Sequence, residues 1–167
     1  DDSSADMQDM IASLTSAAGY GHYEVSAYAQ PKRQARHNLN YWQFGDYLGI
    51  GAGAHSKLSF PHRIVRQMRY KHPQSYLEHM RAGNAIQEEG EIGRDALGFE
   101  FMLNALRLQD GFPVNLFAER TGMSINAIEG ALNQAESKGL LLRDHKIIQP
   151  TELGQRFLND LQEMFLI

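Results

Sequence analysis

Apolar residues recur at helical spacing at Met7, Met10, Ile11 and Leu14, which predicts an amphipathic helix capped by Ser3 or Ser4 and ended by Gly19. The stretch YGHYEVSAYA, residues 20–29, alternates instead. It predicts a strand with Tyr23, Val25 and Ala27 on one face. A helix followed by a strand is half of an α/β repeat. Residues 30–46 lose the pattern to Pro31, charges and a cluster of aromatics, and read as loop. DYLGIGAGA, residues 46–54, predicts a short buried strand running into a glycine-rich turn.

Residues 57–91 are polar, basic and weakly periodic, with Pro61 and Pro73 as breaks and Ser75 as the cap of a short helix carrying Tyr76, Leu77 and Met80. QEEGEIGRD, residues 87–95, is an acidic hinge and marks a domain boundary. The last third is cleaner. DALGFEFMLNALRL predicts a buried helix, ended by Asp110, Gly111 and Pro113. Asn115 caps a short helix that stops at Gly122. Ser124 caps another, with Ile125, Ile128, Leu132 and Ala135 on one face and Gly139 as its stop. LLLRDHKIIQ predicts two strands around Asp144 and His145. Pro150 and Thr151 then restart a helix carrying Leu153, Phe157, Leu158, Leu161 and Phe165. Helices, a hairpin and a final helix are the order of a winged-helix-like module.

Composition narrows the chemistry. With 167 residues the chain holds one or two small domains. No apolar run is long enough to span a bilayer, and no signal peptide is visible. A cytoplasmic location is the expectation. The chain has no cysteine, so it supplies no disulfide, thiolate zinc site or cysteine ligand to an iron–sulfur cluster. The net charge of −4 is unevenly laid out. Residues 30–81 hold nine Lys and Arg, two acids and five of the seven histidines, a basic island suited to phosphates, carboxylates or plain solvent. Residues 110–167 carry eight acids against five bases. Because phosphate contacts dominate nucleic-acid affinity, that balance argues against DNA as the partner of the C-terminal module. A structural or protein-docking role fits better.

Two stretches carry candidate chemistry. Gly49, Gly51 and Gly53 permit close backbone approach, either to a ligand or to another stretch of chain, and their spacing is not that of a dinucleotide site. His37, Asn38, Tyr41 and Trp42 are the richer cluster. An imidazole ligates metal, haem iron included, and Tyr and Trp offer flat faces with polar tips. Lys32, Arg33 and Arg36 stand ready to pair with propionates. The alternative is a packed aromatic loop.

At EVSAYAQP…HNLNYWQFGDYLGIGAGAHS, and through FEFMLNALRL…GLL…TELGQRFLNDL, the sequence resembles the HemN/HemW family of radical S-adenosylmethionine (SAM) proteins. That family includes oxygen-independent coproporphyrinogen III oxidase and relatives regarded as haem chaperones. The resemblance covers essentially the whole chain but only the C-terminal portion of a family member. It implies a fold in which residues 1–91 form the end of a partial radical SAM (β/α) barrel with a basic loop region. Residues 92–167 form the family's helical, winged-helix-like C-terminal module. The start without Met at Asp1 and the lone α/β unit accord with a missing first half.

HNLNYW matches the HNxxYW motif of the chaperone branch, which implies haem binding by His37, Asn38, Tyr41 and Trp42, with His37 as iron ligand. The match at GAGAHS implies that Gly51, Gly53, Ala54 and His55 lie near SAM. The family's CxxxCxxC motif is absent, so a [4Fe-4S] cluster belongs to the missing part, and this stretch alone should be inactive as an enzyme. Two functions follow. One is a chaperone that binds haem or another tetrapyrrole and passes it to acceptor proteins. The other is an oxidoreductase of porphyrin biosynthesis that decarboxylates coproporphyrinogen III propionates. No catalytic residue is assigned within this chain.

Overall fold

The computed structural model describes residues 2–166. The chain divides into two compact units. One combines Asp1–Phe44 with Gly98–Ile167, and the other is the intervening Gly45–Leu97.

The first unit opens with α1 (Asp2–Ala17). Ser3 and Ser4 lie within this helix and not ahead of its start. Gly19 ends it as expected. Its φ of 81° suits glycine, and the Tyr20 N–H returns to the Thr15 carbonyl at 2.9 Å. The apolar stripe at Met7, Met10, Ile11 and Leu14 is present but 46–63% exposed. The expected single strand over residues 20–29 is instead a hairpin of β1 (Gly21–Glu24) and β2 (Ala27–Ala29). Val25 and Ser26 make the turn. The Ser26 hydroxyl donates to Glu24 Oε1 at 3.3 Å, and His22 Nε2 lies 3.2 Å from the Val25 carbonyl oxygen. These local bonds give the backbone an alternative to a continuous strand.

Residues expected as loop fold into α2 (Arg36–Trp42). After the second unit the chain re-enters through α4 (Leu97–Ala105), whose Phe101, Met102 and Ala105 are fully buried, as the apolar run predicts. Phe101 is the hub. Its ring meets Phe112 and Phe117 edge-on, each at 5.2 Å, and Phe44 at 5.8 Å. β6 (Phe112–Pro113) is an added strand that the sequence does not announce. It pairs with β8 (Ile147–Pro150), which pairs in turn with β7 (Leu141–Arg143), an antiparallel sheet of order β6–β8–β7. Between them run α5 (Val114–Thr121), a 3₁₀ turn (Ile125–Ile128) and α6 (Glu129–Ser137).

Pro113, not Asn115, precedes the first of these helices, and the Asn115 amide bonds Glu119 instead. Ser124 does cap, accepting the Asn126 N–H at 3.3 Å. Gly122 and Gly139 stop their helices in left-handed conformation, with φ of 67° and 68°. The last helix is broken into α7 (Glu152–Arg156) and α8 (Leu158–Glu163), because Phe157 leaves helical geometry. Thr151 caps α7 by accepting the Gly154 N–H at 3.0 Å.

The second unit is a three-stranded antiparallel sheet of β3 (His55–Phe60), β4 (Arg63–Arg69) and β5 (Ile86–Glu91), with α3 (Pro73–Arg81) between the last two. Ser75 lies inside α3, which starts with Pro73 at its first turn. The buried strand expected at residues 46–54 is reduced to one bridge between Tyr47 and Lys57, and Ile50 is 83% exposed. Gly51 and Gly53 turn the chain with φ of 107° and 72°, which prevents an extended run.

Candidate functional site

α2 carries the richest cluster of side chains. Its seven residues put His37 and Tyr41 one turn apart on one face, and Asn38 and Trp42 one turn apart on the next. No side chain caps the helix; tertiary contacts hold both of its ends. At the start, the Tyr23 hydroxyl accepts the Ala35 N–H and the Asn38 Nδ2–H, both at 3.3 Å. At the end, Phe44 takes a left-handed φ of 55° and sends a buried ring onto Phe101. Left-handed backbone costs a non-glycine residue roughly 1–2 kcal/mol. Burying a phenylalanine recovers about 1.5–3 kcal/mol.

The two faces differ. His37 is exposed, and neither ring nitrogen has a hydrogen bond among the described residues. Its ring stands edge-on to Tyr41, centroids 6.3 Å apart and planes at 79°. Trp42 is half-buried, its indole N–H is covered, and that N–H finds no acceptor among the described residues. The guanidinium of Arg107 lies 4.3 Å over the Trp42 ring. Lys32, Arg33 and Arg36 are all exposed nearby in sequence. The sequence places Tyr23 only on a strand face and does not mark Arg107, since nothing local links either of them to α2.

Gly51, Gly53, Ala54 and His55 lie in the second unit, apart from the α2 cluster in the division of the chain. Gly53 N–H donates to the Tyr70 carbonyl at 2.8 Å, and the Ala54 carbonyl accepts the Arg69 N–H at 2.9 Å. These bonds extend the β3–β4 pairing backwards into the turn. His55 opens β3 opposite Met68 and is exposed. Gly49 packs on backbone: a Cβ there would collide with the His55 carbonyl. Here the close approach is to the chain itself.

The second unit also buries a charge. Lys57, 2% exposed, pairs with Asp46 at 3.1 Å and donates to the Ser59 hydroxyl at 3.2 Å. Burial works against the ionised Asp46, but hydrogen bonds from the Ser59 hydroxyl and N–H, and from Lys57, outweigh it and hold the carboxyl below its ordinary value.

In the first unit Arg143 reaches Glu129 at 2.9 Å, Glu136 at 2.7 Å and Asn133 at 2.6 Å. Hydrogen bonding to Glu129 leads the upward shift of Arg143 and the downward shift of Glu129. This saturated arginine lines an open recess of about 400 Å³ with Val114, Ile125, Glu136, Asp144 and Ile148. Among the described residues, no group of three or more His, Asp or Glu is placed to hold a metal ion. No helix there is long and apolar enough to cross a membrane.

The mixed α/β architecture is similar to the C-terminal region of HemN. The solved structure titled "Coproporphyrinogen III oxidase (HemN) from Escherichia coli is a Radical SAM enzyme" superimposes with a TM-score of 0.68 over 96% of this chain and 40% of that one. Its 16% sequence identity makes this a likeness of fold. The HemN C-terminal domain family matches residues 92–157. "Heme chaperone HemW" of Escherichia coli (strain K12) is 40% identical over 167 residues, 99% of this chain and 43% of that protein. The protein of the same name from Haemophilus influenzae is 41% identical with the same coverage. That from Lactococcus lactis subsp. lactis is 30% identical over 171 residues. The chain belongs to the HemN/HemW family, and it spans about two fifths of the length of these relatives.

Proposed function

We propose that the chain is the C-terminal part of a haem chaperone, which binds haem or another tetrapyrrole at α2 and passes it to acceptor proteins. The observation that carries this reading is the division of α2. Asn38 and Trp42 tie it to the fold, while His37 stands exposed with neither ring nitrogen hydrogen-bonded among the described residues. A neutral imidazole in that state has a lone pair to give to iron. Tyr41 beside it adds a flat, polar-tipped face for the macrocycle. The names of the curated relatives supply the cargo.

In this reading residues 1–91 close a partial barrel, and Gly51, Gly53, Ala54 and His55 lie near SAM. The chain holds no cysteine, so a [4Fe-4S] cluster is held by residues outside it. The module at residues 92–167 is winged-helix-like and docks protein, and the whole protein works in the cytoplasm.

The test uses the full-length protein that carries this sequence. His37→Ala should change the Soret spectrum of bound haem, because a direct bond to iron is lost. Trp42→Ala should keep the spectrum and weaken binding roughly tenfold, the loss of about 1.4 kcal/mol of contact. His55→Ala should leave the haem spectrum unchanged. Unaltered spectrum and affinity in His37→Ala would return α2 to a purely structural role. Conversion of coproporphyrinogen III by the reconstituted protein would favour the oxidase reading.

A further inference from the structure

The Arg107 side chain is an unused cation beside Trp42 of α2. Its guanidinium lies over the Trp42 ring, and its Nε–H is covered without an acceptor. Arg107 has no carboxylate partner among the described residues, although the chain contains 20 acids. Arg143, in the same unit, satisfies two glutamates and an asparagine. The contrast is informative, since a half-buried guanidinium without an anion is costly and is retained where something else supplies the charge.

The side chain is also braced against an aromatic ring. The guanidinium carbon lies 4.3 Å from the Trp42 ring centroid and the Nε is covered, so the near part of the side chain is enclosed, while the residue keeps part of its surface exposed. An arginine ordered in advance loses little entropy when it grips a carboxylate through two parallel hydrogen bonds. Lys32, Arg33 and Arg36 are fully surface residues without such a brace.

We propose that Arg107 is a carboxylate-binding residue of the α2 site, and that it grips a propionate of the tetrapyrrole whose iron His37 ligates. This rests on the haem-binding reading above. A competing partner exists within the chain. Glu24, 1% exposed, bridges Leu108 through its backbone, and its Oε2 has no donor among the described residues. Its Oε1 is taken by Ser26, and no bond joins it to Arg107.

The experiment compares haem with haem dimethyl ester in the full-length protein, unchanged and as Arg107→Gln, Arg107→Lys and Glu24→Gln. The unchanged protein should prefer the diacid by about tenfold to a hundredfold, the range expected for one charge-assisted pair. Arg107→Gln should drop haem to the affinity of the ester and leave the ester where it was. Arg107→Lys should recover part of the preference. The Soret spectrum should stay unchanged throughout, because His37 is intact.

Equal affinity of the unchanged protein for diacid and ester overturns the proposal while leaving haem binding itself in place. So does an Arg107→Gln variant that loses both ligands alike, since Arg107 then serves only to pack Trp42. A Glu24→Gln variant that reproduces the Arg107→Gln loss shows the arginine to be Glu24's partner. Failure of the unchanged protein to bind either ligand removes the parent reading, and this one with it. Should Arg107→Gln not fold, the same comparison in Arg107→Lys decides: a diacid preference undiminished from that of the unchanged protein overturns the proposal.

Discussion

Lys57 and Asp46 show how a single residue pair sets acid sensitivity. The ammonium is buried, and it pairs with a carboxylate that is 44% exposed. Asp46 titrates below its ordinary value of 3.8 in the folded protein. Its contribution to stability is therefore complete above about pH 4 and is lost as the pH falls through the lowered value. Asp46→Asn should cost about 1 kcal/mol at pH 7, allowing for solvent screening on the open side of the pair. The cost should fade toward pH 2. Urea unfolding at pH 7, 4 and 2.5 would show the two stability curves converging in acid; parallel curves would dismiss the pair. Replacing both partners, Asp46→Asn with Lys57→Met, should be milder than the sum of the two, because an apolar side chain needs no counter-charge.

At the scale of elements, the C-terminal helices and the short helix carrying Tyr76, Leu77 and Met80 were largely readable, and the sheet of the second unit was not. Ser124, Gly122, Gly139 and Thr151 each perform the capping or stopping role their identity suggests. These signals act over one turn of chain. The β3–β4–β5 sheet has no such signal. Its buried positions include Ser56 and Lys57 while Phe60 is 45% exposed, so alternation of apolar and polar residues is lost. The site falls between these cases. The spacing of His37, Asn38, Tyr41 and Trp42 is legible as two one-turn pairs, but only once the segment is known to be helical. Its helicity comes from Tyr23 and Phe44 across the fold, and Arg107 is supplied by a turn more than sixty residues later. The charge of α6 permits a prediction of its own. Glu129 and Glu136 claim Arg143, which removes that arginine from any phosphate contact. The chain should show no sequence-dependent, submicromolar binding to duplex DNA near physiological salt, measured by fluorescence anisotropy. Binding of that strength would mean the acids release Arg143.

At the scale of the whole molecule, α1 presents an apolar stripe that the described residues leave open. Met7 and Leu14 are 54% and 63% exposed. Such a face drives association or dye binding in water. The isolated chain should bind a hydrophobic dye and self-associate in sedimentation velocity. Met10→Lys with Leu14→Gln should suppress both, without lowering the melting temperature by more than a degree or two, since nothing buried is lost. An unchanged sedimentation profile would show that the stripe is covered in solution. The order of the two units along the chain has a further consequence. Residues 45–97 are continuous, whereas the other unit needs Phe44 and Trp42 from one side of that insertion and Phe101 and Arg107 from the other. During synthesis the inserted unit is complete before the hub at Phe101 has left the ribosome. The helix bearing His37 therefore has to wait. A nascent chain stalled before Arg107 carries the imidazole without its frame.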